Sequence, residues 1–101
     1  MENAPTFSVL IPQAKIVIRT LWKYQVESFG PDTSKRWGFT VKTEMPGWMQ
    51  FTLGVLELLR IGLVIIDDKG LVFLADHGIQ FCEQHNTEIQ GFPYFYSHFA
   101  S

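Results

Sequence analysis

The stretch "LLRIGLVIIDDKGLVFLADHGIQF" (Leu58 to Phe81) constrains the fold of this 101-residue chain more than any other part of it. Two apolar, β-prone runs, "LVIID" and "LVFLA", flank "DKG", which suits a type I turn followed by a glycine in the left-handed bulge position. Strands joined that tightly pair antiparallel. Ahead of them Gly62 is placed to end a helix in a left-handed cap, and behind them Asp76 is placed to begin another. The expectation is a hairpin clamped between two helices, with a charged tip that buries nothing.

The chain on either side supplies the helices. Pro12 suits a first helical position, and from Gln13 to Phe29 the pattern is helical. At about 100° per residue, Ala14, Val17, Ile18, Leu21, Trp22, Tyr24 and Phe29 share one arc. Lys15, Arg19, Lys23 and Glu27 share the other, while Gln25 and Ser28 fall in the apolar arc and weaken its end. "FGPDTSK" then breaks the helix. A second strong helix runs from Trp48 to Ile61, with Phe51, Val55, Leu58 and Ile61 as its inner stripe. The final helix runs from near Asp76 to His85 or Asn86. "TFSVLI" (Thr6 to Ile11) and "WGFTVKT" (Trp37 to Thr43) read as short strands, and "EMPGW" as a turn or a very short helix.

This order of elements resembles the winged-helix superfamily, in which a β-hairpin wing follows the recognition helix. The resemblance extends from Pro12 to His85. "VLELLRIGLV" looks like the family's helix ending, glycine and first wing strand. "LVFLADHGIQF" looks like the second wing strand followed by "L-T-x-x-G-x-x-F". Leu74, Gly78 and Phe81 match that motif, and Ala75 stands where the family has Thr, which costs a capping hydroxyl. The expected class is α+β, a winged helix that is mainly helical with a small antiparallel hairpin. Residues 1–11 form an N-terminal extension, 12–86 the domain, and 87–101 an aromatic tail.

Function is less sharply written. The resemblance implies a small DNA-binding protein, a homodimer acting in regulation of transcription or replication, with the second helix in the major groove and the wing on phosphates. The groove-facing positions would be Met49, Gln50, Thr52, Leu53, Leu56 and Glu57, of which Gln50 and Thr52 suit base edges. Net charge is only −2, from eight basic and ten acidic residues, but bases are concentrated between Lys15 and Lys42. Lys15, Arg19 and Lys23, at i, i+4 and i+8, read either as a phosphate track continued by Lys35, Arg36, Lys42 and Lys69 or as an ordinary solvated face. "SKRWGF" reads either as a backbone-and-stacking site or as a loop whose Trp37 and Phe39 turn inward.

The alternative is a protein-interaction module. Met49, Leu53 and Leu56 lie on the outer side of a helix whose inner side is already apolar, and a helix apolar on both faces packs on both. The tail "FPYFYSHF" adds Phe92, Tyr94, Phe95, Tyr96 and Phe99, either folded back on the core or exchanged with a partner or second copy. No catalysis, cofactor or metal is expected. Cys82, the one cysteine, and His85 lack the accompanying ligands of a metal site, and no phosphate-binding glycine loop is present. A lone cysteine, a start without a basic leader and the lack of a bilayer-length apolar run read as an intracellular, cytoplasmic protein with no membrane contact.

Overall fold

The computed structural model describes residues 6–44 and 47–92. Helix α1 (Pro12–Phe29), strand β1 (Gly38–Thr40), helix α2 (Trp48–Arg60), strands β2 (Val64–Ile66) and β3 (Leu71–Leu74), and helices α3 (Asp76–Gln84) and α4 (Asn86–Gln90) follow in that order. The class is α+β. The strands make one antiparallel sheet in the order β1-β3-β2, so the hairpin carries β1 as a third strand against β3. Among the described residues no helix is long and apolar enough to cross a membrane.

The hairpin forms for the reasons its sequence supplies. Gly70 has φ +84° and donates its N–H to the Asp67 carbonyl at 3.0 Å, closing the turn. The Asp67 carboxylate accepts the backbone N–H groups of Lys69 and Leu71, both at 2.9 Å, which fixes the tip from within. At the hairpin's foot Gly62 sits at φ +83°. The N–H of Leu63 reaches the Leu58 carbonyl at 2.9 Å and that of Gly62 reaches Leu59 at 3.2 Å, the paired bonds of a Schellman ending.

Ala75 stands at the N-cap of α3 and makes no side-chain cap bond; the acidic Asp76 occupies the first turn instead. Gly78 explains the glycine of the motif. A β-carbon there would stand 2.0 Å from the Leu63 carbonyl oxygen, so only glycine lets α3 close on the backbone just ahead of β2. Phe81 and Cys82, on the same helix, are buried.

The core joins α1 (Ala14, Val17, Ile18, Leu21, Trp22) to the inner stripe of α2 (Phe51, Val55, Leu58) and to Val64, Val72 and Leu74 of the sheet. It also takes residues from both sides of the expected 12–86 domain. Phe7 and Leu10 on one side and Ile89 on the other are buried in the same cluster.

Several expectations are corrected. Thr6 to Ile11 is not a strand: Phe7–Val9 is a 3-10 turn, closed by Val9 N–H to Thr6 and Leu10 N–H to Phe7, which lets Phe7 and Leu10 both turn inward. The last helix stops at Gln84 and α4 follows, anchored by Ile89. Gln25 does not weaken the end of α1. It is buried, donates to the Lys35 carbonyl at 2.7 Å and accepts the Trp37 N–H at 2.9 Å, tying α1 to the approach of β1.

Candidate interaction surface

Among the described residues the outer side of α2 carries the largest group of exposed apolar side chains, while Val26 on α1 and Ile65 and Ile66 on β2 are exposed as well. Phe51, Gly54, Val55 and Leu58 face inward, and the helical repeat turns Met49, Leu53 and Leu56 the other way. Their exposures are 61%, 52% and 52%, with Leu59 at 40% beside them. Isolated exposed leucines are ordinary; a line of them along one helix is not. Gly54 sets the orientation. A β-carbon at that position would stand 2.3 Å from the carbonyl oxygen of Gln13, so α2 crosses α1 with backbone against backbone and the preceding residue, Leu53, is carried outward. Val9 and Ile11, just ahead of Gln13, are exposed too. The sequence reading missed that pair because it placed Thr6 to Ile11 in a strand.

Polar groups on α2 are few. Gln50 is exposed and Thr52 half-buried. Glu57 accepts from Arg60 at 2.6 Å, and that bond holds the Glu57 carboxyl below its usual range. Arg60 is therefore engaged along its own helix.

The basic residues lie in three places rather than along one track. Lys15, Arg19 and Lys23 share the outer side of α1, and each has an intramolecular neighbour. The Lys15 ammonium lies 5.6 Å from the Phe7 ring centre and 5.8 Å from that of Phe92. Arg19 Nε donates to the Phe92 carbonyl at 2.8 Å, and Lys23 is ion-paired with Glu27. Lys35 and Arg36 lie before β1. Lys42 follows β1 and Lys69 lies in the hairpin turn, at the end of the sheet where Thr40 pairs with Leu71.

Arg36 is hydrogen-bonded within the fold. Its Nε donates to the Leu74 carbonyl at 2.9 Å, Nη1 to the Thr33 carbonyl, and Nη2 to Asp76 Oδ1 at 2.6 Å. The recess of about 290 Å³ beside it, lined by Ser34, Ile65, Phe73 and Asp76 among others, thus offers a guanidinium whose three nitrogens are already bonded. Trp37 and Phe39 do turn toward the core: Trp37 stacks on Tyr24 at 4.7 Å, and Phe39 meets Phe51 edge-on at 4.8 Å. Neither ring is left as an open stacking platform.

Phe92 packs edge-on to Phe7 at 5.6 Å, so the first aromatic of the tail belongs to the folded unit. Tyr94, Phe95, Tyr96 and Phe99 lie outside the described residues. Burial pushes the Cys82 thiol well above its ordinary range, with the Glu83 charge adding to the effect, and His85 Nδ1 pairs with Glu88 at 3.1 Å. Among the described residues no three His, Cys, Asp or Glu side chains are grouped to hold a metal ion.

No family description, curated protein or solved structure matches this chain.

Proposed function

We propose that this chain is a winged-helix module that binds protein through the outer face of α2, and that it is not an enzyme. The element order, the β1-β3-β2 sheet and the glycine contact at position 78 support the winged-helix assignment. One observation carries the choice of partner: Met49, Leu53 and Leu56 are exposed on the helix that a DNA-binding relative would lay in the major groove. Base edges and phosphates are met by hydrogen-bond donors and acceptors and by cations. A line of Met and Leu offers them only van der Waals contact, and burying those side chains against protein stabilises a complex by about 1.5–3 kcal/mol for each fully buried one.

DNA binding remains a second reading, favoured by Lys69 in the hairpin turn, where a wing would meet phosphate. In that case the hairpin and the edge of α2 at Gln50 carry the contact, in a homodimer regulating transcription or replication. Fluorescence anisotropy with a random duplex at two salt concentrations separates the two. The protein-binding reading predicts no salt-dependent rise. Binding that weakens with salt, and that is lost on Lys42→Glu with Lys69→Glu, would put the DNA reading in its place.

A further inference from the structure

Residues 86–92 lie against α1 as a short strap. Helix α4 buries one side chain, Ile89, in the core. The polar and ring contacts that hold the strap end on α1 and on the 3-10 turn ahead of it. Trp22 Nε1 donates to Asn86 Oδ1 at 2.7 Å, Arg19 Nε donates to the Phe92 carbonyl at 2.8 Å, and the Phe92 ring meets that of Phe7. The site on α1 is therefore already shaped for one occupant, this chain's own residues 86–92. The same contacts form whichever copy supplies them.

The strap reaches its site through a bend. Helix α3 ends at Gln84 and α4 begins at Asn86, and His85 between them has φ −111° and ψ 24°, away from helical geometry. The His85 N–H still reaches the Phe81 carbonyl and the Ile89 N–H the His85 carbonyl, so both sides are helical and only the join is bent. The sequence at the join, "EQHNTE", holds neither proline nor glycine, the usual local causes of a kink. The bend is thus the cost of folding back onto the same copy's α1. One straight helix from Asp76 to Gln90 would restore the helical bonds lost at the join, but it would swing Ile89 and Phe92 off their own α1.

We propose that two copies of this chain exchange their straps, with His85 as the hinge, so that residues 86–92 of each lie on α1 of the other. Every contact named above is kept, now between copies, and the helical bonds at the join are gained. A hinge of one residue has no slack to relieve the bend, the condition under which exchange competes with folding back. The exchange is reciprocal and closes on itself, so it yields a dimer rather than a chain of subunits. It uses none of the outer residues of α2 and stands apart from the protein-binding reading.

Sedimentation of the full chain at about 50 µM, where a contact with a Kd of about 1 µM is mostly formed, tests this. The wild type is expected at twice the chain mass. Inserting three glycines between His85 and Asn86 gives the strap slack to fold back, and should return the protein to the mass of one chain with native circular dichroism. The exchange itself is read by disulfide formation. Phe7→Cys and Phe92→Cys, refolded together under reducing conditions and then oxidised, should link one copy to another, and neither variant alone should. Ile65→Cys, exposed on β2, should not link to Phe92→Cys. A wild type at the mass of one chain, a dimer unchanged by the glycine insertion, or no link between Phe7→Cys and Phe92→Cys would overturn the proposal.

Discussion

Gly54 of α2 rests on the Gln13 carbonyl of α1 with no room for a methyl group: a β-carbon would stand 2.3 Å from that oxygen and 2.7 Å from Val17 Cγ2. This contact sets how deeply α2 sits and hence which of its residues face outward. Gly54→Ala gains about 1 kcal/mol of helix propensity, but it forces backbone away from backbone, an overpacking that costs about 1–3 kcal/mol or more. The clash dominates because a carbonyl cannot rotate aside as a side chain can. Thermal unfolding should show a lower Tm, by about 4–8 °C for each net kcal/mol in a domain of this size. A raised Tm would mean that the two helices cross elsewhere.

Gln25 tests the link between α1 and the sheet. It is 1% exposed and satisfies both the Lys35 carbonyl and the Trp37 N–H. Gln25→Leu keeps much of the volume and strands both groups, at about 1–3 kcal/mol for each left unpaired. Gln25→Glu should do worse at neutral pH, since it sets a buried carboxylate against the Lys35 carbonyl. Burial raises a carboxyl's pKa in the folded state, so the variant's stability should be highest at low pH and fall as pH rises through the folded-state pKa. Urea titrations at several pH values check the sign. A Gln25→Glu variant that loses stability as pH falls, relative to wild type, would contradict this account of the site.

The hairpin turn makes a ranked prediction. At φ +84°, Gly70 has space around it, with only Thr40 Cγ2 at 3.9 Å from a would-be β-carbon, so the cost of substitution is conformational rather than steric. Asn, which tolerates the left-handed region, should cost least, Ala more, and Val most, the last by about 1–3 kcal/mol. Equal melting temperatures across the three variants would remove the glycine bulge from the account.

The parts of the fold legible in the sequence are those whose cause is local. Gly62, Asp67 and Gly70 specify their turns through their own dihedral angles and short-range bonds, and the periodicity of α2 separates Phe51, Val55 and Leu58 from Met49, Leu53 and Leu56 without reference to the rest of the chain. What escaped has distant causes. Arg36 reads as a phosphate ligand beside Lys35, yet its partners Leu74 and Asp76 lie 38 and 40 residues away. Arg19 is likewise engaged by Phe92, 73 residues on. Helix α4 has one buried residue, Ile89, in five, too few to show a period. For the surface itself, the outer leucines of α2 were legible, whereas Val9 and Ile11 were hidden by an alternation that suits a strand as well as a 3-10 turn.

The central claim, that the outer face of α2 meets protein, is tested most directly by a photo-reactive benzophenone side chain at position 53 of the full chain, irradiated in its own cell extract. The account predicts a discrete protein adduct, absent when the same group replaces the exposed Glu27 on α1 and absent when Leu56→Glu is added. Adducts with nucleic acid alone, or no difference between positions 53 and 27, would contradict it.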